Sequence, residues 1–160
     1  MDFSQKENCI ILPDIRSTYN VGSIFRTADA AGISKIFLVG YTPLPVDKFR
    51  RENKEISKTA LGAEKTISWE HFDEMLLLLK HLKNEGFQII AVEQSEKSVD
   101  YKSVSLKEKN AFIFGNEVEG VSLDILNECD VIAEIPMRGR KESLNVSVSV
   151  GVALFRILNI

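Results

Sequence analysis

The sequence contains only two cysteines and two histidines in 160 residues. Cys9 and Cys129 lie far apart, with no C-x-x-C pair, and each falls in an apolar, strand-like run. They read as buried free thiols in a reducing compartment, not as a disulfide framework. His71 and His81 fall on one charged, helix-like stretch with no cluster of carboxylates or histidines beside them, which argues against zinc and against a histidine-based triad. Long apolar runs are missing as well: the longest, Met75 to Leu79, is far too short to cross a bilayer. The polar start, Met1-Asp2-Phe3-Ser4-Gln5-Lys6-Glu7, lacks the basic-then-apolar order of a secretory signal, so the expected location is the cytoplasm. Neither Walker A nor G-x-G-x-x-G occurs, which removes support for nucleoside triphosphates and Rossmann-type dinucleotides. Neither sign of charge dominates: 20 Lys+Arg against 23 Asp+Glu give a formal net charge of −3. Any contact with nucleic acid must therefore rest on a local basic patch.

What is present describes an ordinary globular chain. Hydrophobic residues make up 44% and charged residues 27%, so disorder, collagen-like repeats and a coiled coil are disfavoured. No repeat, low-complexity tract or linker divides the chain, and residues 1–160 read as one domain. Apolar runs at Cys9–Leu12, Lys35–Val39, Phe87–Val92, Ala111–Phe114 and Val131–Ile135 read as strands, with a further short one at Thr66–Trp69. Between them, Val21, Ile24, Phe25, Ala28 and Ala31 repeat at helical spacing, and Gly32 stands where a helix ends. After the polar stretch Thr42–Asp47 comes a charged, helix-like segment to about Leu61. Phe72, Met75, Leu76, Leu79 and Leu82 form another helical stripe, and Ser122 is a plausible N-cap with Asp124 in the first turn. Near-continuous apolar strands alternating with helices predict an α/β domain, its mostly parallel sheet covered by helices on both faces. The last segment is ambiguous. Val146, Val148, Val150 and Val152 alternate as in a strand, whereas Leu144, Val148, Gly151, Val152, Phe155 and Leu158 make a helical stripe, and β-branching leans toward strand.

In parallel α/β sheets, ligands collect beyond the carboxyl ends of the strands. Three such ends carry unusual loops: Glu93-Gln94-Ser95 after Val92, Gly115-Asn116-Glu117-Val118-Glu119-Gly120 after Phe114, and Pro136 to Ser143 after Ile135. Each also has a plainer reading. Gly115 and Gly120 can serve turns, Arg138, Arg140 and Lys141 can be a solvated loop, Asn20 can be a helix N-cap, and Arg26, flanking the apolar stripe, can be a surface ion-pair partner.

Taken together these segments resemble a known family. Asn20-Val21-Gly22-Ser23-Ile24-Phe25-Arg26-Thr27-Ala28-Asp29-Ala30-Ala31-Gly32 resembles the first motif of the SpoU/TrmH-type RNA ribose methyltransferases of the SPOUT superfamily. Phe114-Gly115-Asn116-Glu117-Val118-Glu119-Gly120 resembles the second motif, and Ile135-Pro136-Met137 followed by Ser143-Leu144-Asn145-Val146-Ser147 resembles the third. Thr59-Ala60-Leu61-Gly62-Ala63 is similar to a segment between the first two, and the likeness runs from about residue 8 to 158. It implies a C-terminal deep trefoil knot, a homodimer, and a helix over Leu144–Leu158. It also implies S-adenosylmethionine as methyl donor, at positions that map onto Val92, Gly115, Ile135, Ser143 and Leu144.

The implied reaction is in-line methyl transfer to a ribose 2′-oxygen. The resemblance makes Arg26 and Asn20 the catalytic pair, with Glu117, Ser143 and Asn145 in support. Asn20 is expected to orient Arg26, and Glu117 to act through Asn145 or the RNA. Because a guanidinium is effectively always protonated, Arg26 is expected to grip a phosphate and stabilise alkoxide charge rather than act as a base. The first strand begins within ten residues of Met1, so no separate RNA-binding domain is expected. This short form is similar to members that act on transfer RNA, some of them in the anticodon loop. Ribosomal RNA as substrate and a knotted RNA-binding protein without catalysis are the alternatives. Candidate phosphate contacts are Arg16, Arg26, the run Lys48, Arg50, Arg51, Lys54 and Lys58, and Arg138, Arg140 and Lys141.

Overall fold

A computed structural model describes residues 6–160, so the polar opening Met1–Gln5 lies outside the described residues. Seven parallel strands form one sheet in the order β3-β2-β1-β6-β4-β7-β5. In chain order the elements are β1 (Glu7–Pro13), α1 (Thr18–Ala30), β2 (Lys35–Val39), α2 (Lys54–Ala60), α3 (Ala63–Thr66) and β3 (Ser68–Phe72). Then follow α4 (Met75–Asn84), β4 (Gln88–Val92), β5 (Val99–Asp100), a 3₁₀ turn (Tyr101–Ser103), β6 (Lys109–Phe114), α5 (Leu123–Leu126), β7 (Val131–Glu134) and α6 (Val146–Leu158).

Alternation along the central strands divides the core between the two faces. Ile10 and Leu12 of β1 and Phe112 and Phe114 of β6 point into one cluster with α1, α2 and α6. Cys9, Ile11, Ala111 and Ile113 point into the other, with Leu78, Leu79 and Leu82 of α4 and Ile125 of α5. Both faces are covered, as the apolar runs predict. Helix α1 is fixed at its start by Ser17, whose hydroxyl accepts the Asn20 N–H, so Ser17 and not Asn20 is the N-cap. It ends before Gly32, at φ 70°.

Several expected boundaries move. Thr66 closes α3, and the neighbouring strand runs Ser68–Phe72, so Phe72 is a strand residue that meets Phe37 edge-on at 5.8 Å. Helix α4 therefore starts at Met75 and buries Leu78 while Leu76 faces solvent, which rotates the expected stripe. His71 lies on β3, away from His81 on α4. The helix after the polar stretch begins only at Lys54, capped by Asn53. Ser122 occupies an N-cap position but makes no side-chain cap bond. Short β5 was not foreseen, because two exposed residues give no periodicity. Cys9 is buried in β1, where burial pushes its thiol up to about 12. Cys129 is half-buried, in a turn and not in a strand, with its thiol on the Ile125 carbonyl. The ambiguous tail is helical from Val146: Asn145 caps it, and Val150, Ala153, Leu154 and Ile157 are buried at helical spacing.

Gly22 marks the closest approach of α1 and α2. A β-carbon there would fall 1.9 Å from Thr59 Oγ1 and 2.4 Å from the Ile56 carbonyl oxygen. Gly22→Ala is expected to lower unfolding free energy by about 2–3 kcal/mol, because backbone must move to admit the methyl. Denaturant melts check this; an unchanged midpoint contradicts the packing.

Candidate active site

The sheet order reverses between β1 and β6, where a parallel α/β sheet opens a crevice at the carboxyl ends of its strands. Three loops meet there, following β4, β6 and β7. They enclose a cavity of about 620 Å³ whose lining includes Val92, Gly115, Ile135, Ser143 and Leu144, the five positions singled out in the sequence for a cofactor. Glu117 and Asn145 line it as well.

Behind the cavity wall, hydrogen bonds tie the three motif segments together. Asn20, in the first turn of α1, is buried to 6% exposure. Its Nδ2 donates to Glu117 Oε1 at 3.3 Å, and its Oδ1 accepts from Asn145 Nδ2 at 3.3 Å. Glu117 also accepts the backbone N–H groups of Arg16 (3.1 Å) and Ser17 (3.3 Å), which places its charge at the positive end of α1. Asn145 Oδ1 in turn accepts the N–H of Ser147 at 2.9 Å to start α6. Burial alone would raise the Glu117 carboxyl. Hydrogen bonds from backbone N–H groups, among them those of Arg16 and Ser17, and from the Asn20 amide outweigh that and hold it below its ordinary value.

Other residues, unnoticed as site residues in the sequence, shape the loops. Asn116 Nδ2 donates to the Asp14 carbonyl and, at 3.0 Å, to the Tyr41 hydroxyl, while its Oδ1 accepts the N–H groups of Val118 and Glu119. Glu93 Oε2 accepts the Val121 N–H at 2.9 Å, and Gln94 Nε2 donates to the Glu142 carbonyl, so the β4 loop grips the other two. At Gly115 a β-carbon would sit 2.5 Å from the carbonyl carbon of Gly120 and 2.7 Å from Val121 N; the loop closes only over glycine. The strand-end position of Glu93 and Gln94 was a signal. Asp14 and Tyr41 offered none, since their roles depend on contacts distant in the chain.

The structure departs from the sequence expectation in how these residues connect. The Asn20 amide bonds to Glu117 and Asn145 and makes no hydrogen bond to Arg26 among the described residues. Glu117 is reached through Asn20, not directly through Asn145. Arg26 is exposed on α1 and is not part of the cavity wall. Arg138, Arg140 and Lys141 are exposed on the β7–α6 loop, also off the wall. Arg16 flanks the site beside Tyr41, whose hydrogen bond, with Glu119 and Glu117 nearby, raises its guanidinium pKa. Arg50 and Arg51 lie on the β2–α2 loop, where Arg51 pairs with Asp47 at 2.8 Å.

The cavity wall carries three carboxylates, Glu93, Glu117 and Glu119, and no lysine, arginine or histidine. Apolar Val92, Phe114, Ile135, Leu144 and Val146 complete it. Such a wall suits a ligand with an apolar body and positive charge. Among the described residues, no cluster of three His, Cys, Asp or Glu could hold a metal ion, and no helix is long and apolar enough to cross a membrane.

The chain belongs to the SpoU rRNA Methylase family, which it matches over residues 7–155. It is 34% identical over 153 residues to a 23S rRNA (guanosine-2′-O-)-methyltransferase of Neisseria meningitidis serogroup B, covering 96% of this chain and 58% of that one. A tRNA (guanosine(18)-2′-O)-methyltransferase of Aquifex aeolicus is 33% identical over 94% of this chain and 68% of its own length. The chain thus spans little more than half of the first relative and about two thirds of the second. Among solved structures, an AdoMet-bound rRNA methyltransferase from Sinorhizobium meliloti superposes with a TM-score of 0.86 at 30% identity, over 96% of this chain and 56% of that one.

Because ionised Glu117 stabilises the fold, its contribution is complete above the ordinary carboxylate range and is lost as pH falls through its lowered folded-state value. Glu117→Gln is expected to melt below the wild type at pH 7, with the gap closing below about pH 4. Thermal melts across that range test this; a gap independent of pH contradicts the ionised role.

Proposed function

We propose that this chain is an S-adenosylmethionine-dependent RNA methyltransferase that modifies a ribose 2′-OH. The observation that carries the reading is the convergence of the second and third motif segments on one cavity, with the first joined to both through Asn20 behind the wall. The anionic, partly apolar wall fits S-adenosylmethionine, which at neutral pH bears a sulfonium and an ammonium group. Backbone at Val92, Gly115 and Ile135, with Ser143 and Leu144, would hold it. When bound, the donor supplies an electrophilic methyl group.

The chain's own residues position the acceptor. Arg26, always protonated, grips the phosphate next to the target ribose and stabilises negative charge growing on the 2′-oxygen. Asn20, Glu117 and Asn145 hold the helix start and the two loops in register, and Ser143 lines the donor's end of the cavity. Holding acceptor and donor in line contributes on the order of several kcal/mol to lowering the barrier. RNA phosphates lie along Arg16, Arg50 and Arg51 with Lys48, Lys54 and Lys58, and along Arg138, Arg140 and Lys141, all of them exposed.

In this reading the chain forms one catalytic domain and acts in the cytoplasm. The C-terminal part is threaded into a deep trefoil knot. In support, β7 is inserted between β4 and β5, two strands that precede it in the chain. The active form is a homodimer, supported by the stripe Val148, Val152 and Phe155, which α6 leaves exposed at helical spacing. The substrate is a transfer RNA, in keeping with the name of the Aquifex relative. The name of the Neisseria relative favours ribosomal RNA as the second reading.

Ribose-methylation mapping of total RNA from cells with and without the protein distinguishes the two: a site lost from tRNA supports the first, a site lost from 23S rRNA the second, and no lost site contradicts both. With the purified protein, Arg26→Ala is expected to reduce transfer by roughly 10²–10³-fold while donor binding is retained. Unchanged transfer would sink the assignment.

A further inference from the structure

The β2–α2 loop carries two large aromatic side chains that the core does not use. Tyr41 is 58% exposed and Phe49 is 65% exposed. Both are held in place. The Tyr41 backbone N–H donates to Asp14 Oδ1 at 3.0 Å, its hydroxyl accepts from Asn116 on the cavity wall, and the next residue, Thr42, is buried with its hydroxyl on the Leu12 and Val39 carbonyls. Phe49 stands on a tight turn organised by Asp47. One Asp47 oxygen accepts the N–H groups of Phe49 (2.8 Å) and Arg51 (2.9 Å), and the other accepts Arg51 Nε at 2.8 Å. An antiparallel bridge between Val46 and Glu52 closes that turn, with Arg50 at φ 61° in its tip.

Two cations stand over the Phe49 ring and one arginine flanks Tyr41. The Arg51 guanidinium lies 5.0 Å and the Lys48 ammonium 5.1 Å from the centre of the Phe49 ring, and Arg16 flanks Tyr41. Apolar protein partners prefer contiguous apolar surface, whereas single rings fixed among arginines and lysines match a polyanion with flat, stackable groups. In a duplex those flat faces are hidden in the stack; only unpaired bases offer them.

We infer that Tyr41 and Phe49 are stacking platforms for unpaired bases of the RNA substrate, with Arg16, Lys48, Arg50 and Arg51 holding the intervening phosphates. Tyr41 takes a base beside the cavity, and Phe49 takes one further along the strand. The substrate site is therefore a loop or another single-stranded segment. This rests on the RNA reading above and adds the class of RNA and two residues that recognise it.

The test is fluorescence-anisotropy titration of the full chain with a labelled RNA stem–loop and with a blunt RNA duplex of equal length. Tyr41→Ala and Phe49→Ala are each expected to weaken stem–loop binding roughly tenfold with duplex binding unchanged, and Phe49→Ala, remote from the cavity wall, to leave S-adenosylmethionine binding unchanged. Tyr41→Phe and Phe49→Tyr, which keep the ring, are expected to stay within about twofold of the wild type. Alanine variants that bind the stem–loop as tightly as the wild type, or that lose stem–loop and duplex affinity equally, would overturn the stacking role while leaving RNA binding intact. A wild type that binds neither RNA would overturn the RNA reading itself, and this inference with it.

Discussion

One buried amide holds the site together. Asn20 donates to Glu117 and accepts from Asn145, so a single side chain on the first helix satisfies a loop from the middle of the sequence and the cap of the last helix. An amide is suited to this because it offers both a donor and an acceptor. Asn20 is buried, so losing either partner leaves a polar atom unsatisfied at a cost of about 1–3 kcal/mol. The three loops consequently depend on one another, and the geometry of the cavity follows from their mutual position. Glu117 adds the electrostatic part: its ionised form is favoured by the N–H groups at the start of α1, which ties charge at the site to the stability of the fold.

The distribution of charge is compatible with the proposed RNA-facing role of an acidic chain. The cavity wall is acidic, with Glu93, Glu117 and Glu119 and no cation, which suits a cationic methyl donor. Arginines and lysines stand outside that wall, on α1, on the β2–α2 loop and on the β7–α6 loop. Separating the two signs lets one small domain attract ligands of opposite charge without either neutralising the other's site. A net charge of −3 is summed over the whole chain and describes neither region.

Much of this was legible in the sequence, for identifiable reasons. The central strands were evident because they are buried on both faces and read as continuous apolar runs, and the five cofactor positions came from the family resemblance, whose motifs fall on strand-end loops. Boundaries failed where tertiary contacts decide. Phe72 fits the helical stripe by spacing, yet it pairs with Val39 in the sheet and packs on Phe37. The valines of α6 alternate like a strand, and only the Asn145 cap with burial of Val150, Ala153 and Leu154 makes them a helix. The link from Asn20 to Glu117, 97 residues on, was out of reach of any local pattern.

The central claim is that Asn20 organises a methyl-donor cavity it does not itself line. Calorimetric titration of the wild type and Asn20→Ala with S-adenosylmethionine tests it most directly. The account predicts saturable binding by the wild type and affinity roughly tenfold weaker in the variant, as expected when a buried amide's two partners are released. Equal affinity in the two proteins would contradict it.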